Sequence, residues 1–547
     1  MTDQPGATAA DMTSPPARNR SNADHWLLPL LYLIAVGVRT ATALQLAAPS
    51  SFDAQYYYLV AKNLVAGRGL VVDALWQFLD RPVGFPHPAG GVWLPLPSLL
   101  QALFLLLSRS YRAAQIPQIL LSSALVLLAY LFTRRLTGRV SDGLVAAGLV
   151  LFGGGTVMAT QLDVDCYATF ALTAGLAIYA MSRGWSNPYW LAASGLFMGL
   201  AALTRNDAIL LLVVFGLFVL WLRHRGQGVS FRVVLLTLGL FVGVCAPWWL
   251  RNWLTFGRVN PVPPLYPALL REYGEFFAFE PQFTLQHLLS AGWSSLLQAR
   301  LNALGTNGLR LLWTFQFWQA PFIALGALAM TRPRASSPRD RPVAEGGAPP
   351  SLFPVLLYPL LLFLAMSLVY VFPGLQGGFS HSLSAWVPFG AALAAVGLRR
   401  SWQRLARVAG VSDPRRSLRV LQVGAVFVAC LIGVTVARTE IASNRRLAQS
   451  NARVAEWVKA NTDPQTIIMT NNGLGISLFA ERRTVAIPFG GLATAQTAAR
   501  RFGAELLIVW GDRPQGLPAE FTADLASGPL PLVASWDGCQ VYLLGGN

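Results

Sequence analysis

The sequence is dominated by apolar runs separated by short polar stretches. The runs are about 16 to 22 residues long, the length a helix needs to cross the hydrocarbon core of a bilayer. In lipid every backbone polar group must find its partner inside the chain, so a sequence patterned in this way folds as a bundle of helices. Composition agrees. Of 547 residues, 54% are hydrophobic and 12% charged, about half the ~25% charge of soluble chains. A soluble enzyme, a DNA-binding factor and a small disulfide scaffold are excluded. The net charge of +17 does not mark a nucleic-acid partner, because the basic residues gather in short loops between apolar runs, as the positive-inside bias requires. Nearly all are arginine, with lysine only at Lys62 and Lys459. Four cysteines are too few for a disulfide framework. Cys245 and Cys430 lie inside apolar runs as small hydrophobes; Cys166 and Cys539 lie outside them, and the sequence does not pair them.

The charged loops set a topology. Residues 1–25, rich in Pro, Ala, Ser and Thr, read as a disordered cytoplasmic tail. The run 26–47 is too long for a signal-peptide core and reads as an uncleaved first span. It carries Arg39, which either snorkels to the outer interface or serves a function. The run 113–132 ends in Arg134, Arg135 and Arg139, so that end is cytoplasmic. The intervening run 93–107 therefore does not cross, and reads as a helix along the outer interface. The spans then alternate at 144–159, 167–181, 190–203, 209–222, 233–249, 311–330, 352–372, 383–398 and 420–437. The expected fold is mainly α: a polytopic membrane protein of about eleven spans, N-terminus inside and C-terminus outside. Residues 26–439 form the membrane module, with a first external loop at about 48–112 and an external segment at about 250–309. Residues 440–547 read as a small extracytoplasmic α/β domain, with a helix at 454–460, short β-runs at 466–470, 484–488, 505–510 and 540–544, and a helical pattern at 493–502. Trp457 and Trp510 read as its core.

The external loops concentrate polar groups close to the membrane. The first holds Asp53 in Ser51-Phe52-Asp53-Ala54-Gln55-Tyr56-Tyr57-Tyr58, then Asp73, Asp80, Arg81 and His87. The second, Gln161-Leu162-Asp163-Val164-Asp165, carries two carboxylates. The third is Thr204-Arg205-Asn206-Asp207, where Arg205 and Asp207 either serve a site or pair and cap the flanking spans. Such groups are expensive at membrane depth unless they pair or line a cavity. Carboxylates and cations opening at a membrane surface suit chemistry on a phosphorylated lipid. A sugar linked to a lipid phosphate leaves without needing a proton, one cation can hold the departing charge, and one carboxylate can take the proton of an acceptor hydroxyl. Direct displacement would invert the anomeric centre. Arg251 and Asn252 either position the external segment or anchor it at the interface, and His381 in Gly377-Gly378-Phe379-Ser380-His381 is external and either touches substrate or, the preferred reading, is a satisfied loop histidine. No P-loop, GxSxG or zinc-spaced His/Cys set is present.

On these residues the chain resembles the C-type membrane glycosyltransferases, within them the bacterial protein-mannosyltransferase and lipid A aminoarabinose-transferase branch. Asp53 with Tyr56-Tyr57, Ala61, Leu64 and Gly67-Arg68-Gly69 looks like that group's first external loop. Residues 195–205, Pro247-Trp248-Trp249-Leu250-Arg251-Asn252 with Phe256-Gly257, Glu456-Trp457 and Arg482-Arg483-Thr484-Val485 agree in order along nearly the whole chain. The resemblance implies a glycosyltransferase in the cytoplasmic membrane, moving a sugar from a polyprenyl-phosphate donor to a glycan, lipid or protein acceptor on the outer face. It implies that Asp53 is the general base, that Asp163 or Asp165 orients donor or acceptor, that Arg205 lies near the carrier phosphate, and that Tyr56 and Tyr57 flank the acid. There are departures: Ala54 follows the first acid where many relatives have Glu, and the lysine that grips the lipid phosphate in some relatives is missing, leaving Arg81 or His87 to substitute. Asp207 and Arg251 complete the expected substrate-binding set. Asp163-Val164-Asp165 has the spelling of the metal-binding DxD of nucleotide-sugar enzymes, but a lipid-phosphate donor does not require that site; no cofactor is expected, a divalent cation being the open alternative. The rival readings are a transporter or flippase of a lipid-linked substrate, which would show internal pseudo-symmetry and mid-membrane ionisable groups, and a non-catalytic membrane scaffold.

Overall fold

A computed structural model describes residues 21–153, 162–281, 283–331, 348–510, 519–528, 530–536 and 538–544. Residues 1–20 of the expected tail, the end of the 144–159 run and the arginines of the 332–347 linker lie outside the described residues. Among the described residues, six helices are long and apolar enough to cross a membrane: 25–43, 111–137, 206–224, 231–256, 371–408 and 414–461. Shorter apolar helices occupy 96–105, 140–152, 320–331 and 353–369. The molecule is thus a polytopic helical membrane protein carrying a small sheet.

The hub is the helix Val387–Val408, whose residues 387–399 are all buried. It packs against Tyr111–Thr137, Val140–Phe152 and Ala320–Thr331. Its approach to the last of these is close because two glycines face backbone. A Cβ on Gly397 would lie 1.9 Å from the Phe322 carbonyl oxygen, and one on Gly326 2.0 Å from that of Leu393. Small residues at such crossings let helix backbones meet where lipid supplies no hydrophobic drive. At the arginine-rich end, Arg399 Nε donates to Asp142 Oδ2 at 2.8 Å, and Gln422 Nε2 to Asp142 Oδ1 at 3.4 Å. This buried pair ties three helices together. Arg39 does not snorkel: its side chain is buried and Nη2 donates to the Val150 carbonyl at 3.2 Å.

Three spans expected as simple rods are not. The run 311–330 is two helices, Trp293–Thr314 and Ala320–Thr331, broken where Gln316 and Phe317 take φ of 53° and 58°. The break is held by Gln316, whose Nε2 donates to the carbonyls of Phe152 (3.3 Å) and Ala429 (3.1 Å). A buried amide caps the end of helix Val140–Phe152 and bonds the middle of helix Pro414–Asn461 here, which a hydropathy pattern does not register. The run 352–372 is interrupted by wide turns at Ala365–Val369 and Gly374–Gly378, after which helix resumes at Phe379, ahead of the expected start at 383. The run 420–437 belongs to a helix of 48 residues, Pro414–Asn461, which continues past residue 440 and includes the 454–460 helix.

Beyond that helix stands a sheet. Strands Ile467–Thr470, Arg483–Ala486, Ala504–Trp510 and Cys539–Leu543 lie where the β-runs were read, and helix Leu492–Phe502 where a helix was read. Among the described residues the sheet has six strands, and one edge is Ala74–Leu75 from the loop at about 48–112, paired parallel with Arg483–Ala486. Leu75 and Phe78 are buried in one core with Met469, Val485 and Phe502. Trp510 is buried in the domain's other core, with Trp457 packed against it. The loop that carries Asp53 is therefore built into the C-terminal sheet.

Candidate active site

Asp53 stands in the first turn of the helix Phe52–Val65, whose N-cap is Ser51: the Ala54 N–H donates to Ser51 Oγ at 3.0 Å. Ser51 Oγ donates in turn to Asp165 Oδ2 at 2.9 Å. One serine thus starts the helix and sets two carboxylates beside each other. Asp163 and Asp165 take different parts. Asp163 accepts from the Ser50 N–H (3.0 Å), Ser50 Oγ (2.7 Å) and the Tyr111 hydroxyl (3.0 Å), stitching the loop to the 111–137 helix. Asp165 is buried and turns its Oδ1 toward His381.

His381, for which the sequence favours a satisfied loop histidine, is the centre of the cluster. Its Nδ1 faces the Gly377 carbonyl at 2.9 Å and so carries the proton, while the ring stacks on Tyr167 with centroids 3.8 Å apart. Gly377 adopts φ +108° in the turn that precedes the helix, a conformation open to glycine. The other nitrogen, Nε2, lies 3.7 Å from Asp53 Oδ2 and 3.7 Å from Asp165 Oδ1, buried and without a hydrogen-bond partner among the described residues.

Arg205 closes one wall. Its Nε donates to Asp207 Oδ1 at 3.0 Å and to Ser382 Oγ at 3.2 Å, Nη1 lies 3.8 Å from Cys166 Sγ, and Ser382 Oγ also donates to Asp207. The Arg205–Asp207 pair forms and faces the cluster through Cys166, and neither side chain caps the flanking helices. Tyr57 is buried against the carboxylates; burial first, then the charges of Cys166, Asp53 and Asp165, push its phenol well above its usual range. Tyr273, from the external segment, is pushed up by burial and by Asp53. Tyr56 looks the other way, its hydroxyl accepting the Gly90 N–H at 2.8 Å. His87 Nε2 is 2.9 Å from Asp80 Oδ2, Arg251 Nη2 donates to the Leu70 carbonyl at 3.2 Å, and the Arg251 guanidinium covers Trp248. These residues form a second network that fastens the loop to the end of helix Phe231–Phe256, and Arg81 is exposed.

Electrostatics separate the acids. Burial, then the Asp165 charge, raises Asp53 to about 6, against the pull of His381 and Arg205. Its side chain nevertheless keeps 23% of its surface open. Burial raises Asp163 to about 6 against the hydrogen bonds of Ser50. Burial pushes Asp165 up as well, but His381, the Cys166 N–H and Ser51 outweigh it and hold the carboxyl below its ordinary value.

A model of the family described as dolichyl-phosphate-mannose-protein mannosyltransferase matches residues 86–250. No curated protein matches the sequence. Among solved structures, ArnT from Cupriavidus metallidurans bound to undecaprenyl phosphate is similar with a TM-score of 0.58 at 13% identity, over 96% of this chain and 98% of that one. The Archaeoglobus fulgidus oligosaccharyltransferase in complex with Zn and sulfate is similar with a TM-score of 0.53 at 13% identity, over 88% of this chain and 67% of that one. The chain thus has the fold of ArnT.

Within this fold, ligand atoms of Asp53, Asp165, Cys166 and His381 lie within 4.8 Å of one another. Two carboxylates, a thiol and an imidazole are a donor set for zinc more than for magnesium. Asp163, the first acid of the DxD spelling, is not among them. Cys166 and Cys539 are both free thiols. The site residues missed from sequence are Ser382, Tyr167 and Tyr273, while His381, weighed there between a substrate contact and a satisfied loop histidine, stands at the centre. The Gly377-Gly378 pair inside an apolar stretch was the available signal that the helix breaks just ahead of the histidine.

Proposed function

We propose that the chain is a glycosyltransferase that moves a sugar from a polyprenyl-phosphate donor to an acceptor hydroxyl on the outer face of the cytoplasmic membrane, with inversion and with Asp53 as general base. The observation that carries this reading is the state of Asp53: partly open, beside a guanidinium, with its carboxyl raised to about 6. Such a carboxylate is mostly ionised at neutral pH yet is a better base than an ordinary aspartate, which suits removal of the acceptor proton as the hydroxyl attacks. Arg205, held by Asp207 and Ser382, supplies positive charge for the departing carrier phosphate. Asp165 and His381 orient the base, and Asp163 holds the loop. Tyr57 and Tyr273 wall the site, while Tyr56, His87 and Arg251 brace the loop from behind. The undecaprenyl phosphate bound in ArnT and the similarity of fold support the choice of donor class.

The test uses purified protein in lipid with radiolabelled polyprenyl-phosphate sugars. Asp53→Asn should lower turnover by about 10²- to 10⁴-fold, the usual contribution of a general base, with folding intact; a fully active variant would sink the reading. The reaction needs no metal, so transfer should persist in EDTA. Loss in EDTA with recovery on adding Zn²⁺ would instead assign the Asp53–Asp165–Cys166–His381 cluster to a cation.

A further inference from the structure

A small, partly open cleft lies apart from the Asp53 cluster, between residues 267–271, the first turns of helix Trp293–Thr314 and residues 369–372. Its walls are apolar, with Leu270, Leu296 and Phe372, except for Ser295 and the guanidiniums of Arg271 and Arg300. Arg271 is partly engaged, its Nε donating to Glu275 Oε1 at 2.7 Å and its Nη1 to Ser290 Oγ at 3.4 Å. Arg300 has no carboxylate partner among the described residues; its Nη1 donates to the Leu296 carbonyl of its own helix at 2.8 Å. A half-buried guanidinium in an apolar cleft favours an anion that can take its remaining N–H donors, and phosphate fits that planar fork.

The adjoining strip of the same helix says what carries the phosphate. Trp293, Leu297 and Leu301, spaced by four residues and so stacked along one line of the helix, are 80%, 59% and 59% exposed. On a membrane protein such a stripe is covered by lipid chains, and a tryptophan at its end belongs at headgroup level. One amphiphile satisfies both features, with its phosphate between the arginines and its chains along the stripe.

We propose that this cleft binds the phosphate of an anionic phospholipid of the surrounding bilayer, with Arg300 and Arg271 as headgroup ligands. The segment it braces includes Tyr273, which faces Asp53, so an occupied cleft steadies one wall of the candidate active site. The binding itself does not depend on what reaction that site performs.

The purified full chain, given equal phosphatidylglycerol and phosphatidylcholine in detergent, should retain phosphatidylglycerol preferentially by native mass spectrometry. Arg300→Gln should reduce that retention about fivefold, the weight of one arginine at an anionic lipid surface, with phosphatidylcholine unchanged. Ala299→Leu, which fills the cleft and leaves both charges, should reduce it as well. Equal retention of the two lipids by the wild type, or undiminished phosphatidylglycerol on both variants, would overturn the proposal. So would displacement of phosphatidylglycerol by an equimolar amount of polyprenyl phosphate, which would give the cleft to the carrier, or by inorganic phosphate alone.

Discussion

Three aspartates within a few ångströms of Ser50 and Ser51 show how environment sorts one residue type into different tasks. Asp163 has its oxygens occupied by Ser50 and Tyr111 and holds the loop in place. Asp165 is buried and held ionised by His381, the Cys166 N–H and Ser51. Asp53 has no short hydrogen-bond donor on its carboxylate among the described residues; it has the Asp165 charge nearby and a partly open surface. A carboxyl raised to about 6 is ionised above that pH and protonated below it, and a base acts only when ionised. Transfer should therefore be flat above pH 7 and fall about tenfold per unit below about 6. A profile of kcat/KM from pH 4.5 to 8 checks this, and a rate unchanged down to pH 4.5 would remove Asp53 from the role. The same sign governs stability: a raised carboxyl disfavours the folded state while charged, so Asp53→Asn should melt no lower than the wild type at pH 7.

Helices of this protein meet by two devices that a hydropathy profile averages away. One is the glycine crossing, where Gly326 and Gly397 let helix Ala320–Thr331 lie against the backbone of the hub. Since any Cβ there would fall about 2 Å from a carbonyl oxygen, Gly397→Leu must separate the two helices. Overpacking of this kind typically costs about 1–3 kcal/mol. The expected result is a lower melting temperature in detergent, and a variant melting with the wild type would show that the crossing is looser than described. The other device is the buried amide of Gln316, which ends one helix and satisfies carbonyls of two others. Neither device changes the mean apolarity of its segment, so both segments read as uniform spans from sequence.

The molecule as a whole is closed by a strand of two residues. Ala74–Leu75 adds an edge to the C-terminal sheet more than 400 residues away in sequence, and Leu75 fills that domain's core. The first external loop is consequently held from two sides, by Asp163 at the 111–137 helix and by the sheet at its far end. Leu75→Ala should cost about 2–5 kcal/mol. Beyond lowering the melting temperature it should expose both the loop and the C-terminal sheet to limited proteolysis, and it should lower transfer without touching the Asp53 cluster. Unchanged proteolysis in either region would show that loop and sheet are not coupled.

Local periodicity and composition account for everything that can be seen along the chain alone. The apolar runs, the arginine-rich loops, the strands at 467–470, 483–486, 504–510 and 539–543, and the gathering of acids in short loops were legible because each is written within a score of residues. Tertiary structure decided which of those acids stand together, and it brought His381 between Asp53 and Asp165 from more than 200 residues away. It also divided the expected 311–330 span and took two residues of a loop into a distant sheet. The physical reason is the same in each case. A helix or strand is selected by neighbours along the chain, whereas a site is selected by hydrogen bonds and charges between segments, whose distance in sequence leaves no periodic trace.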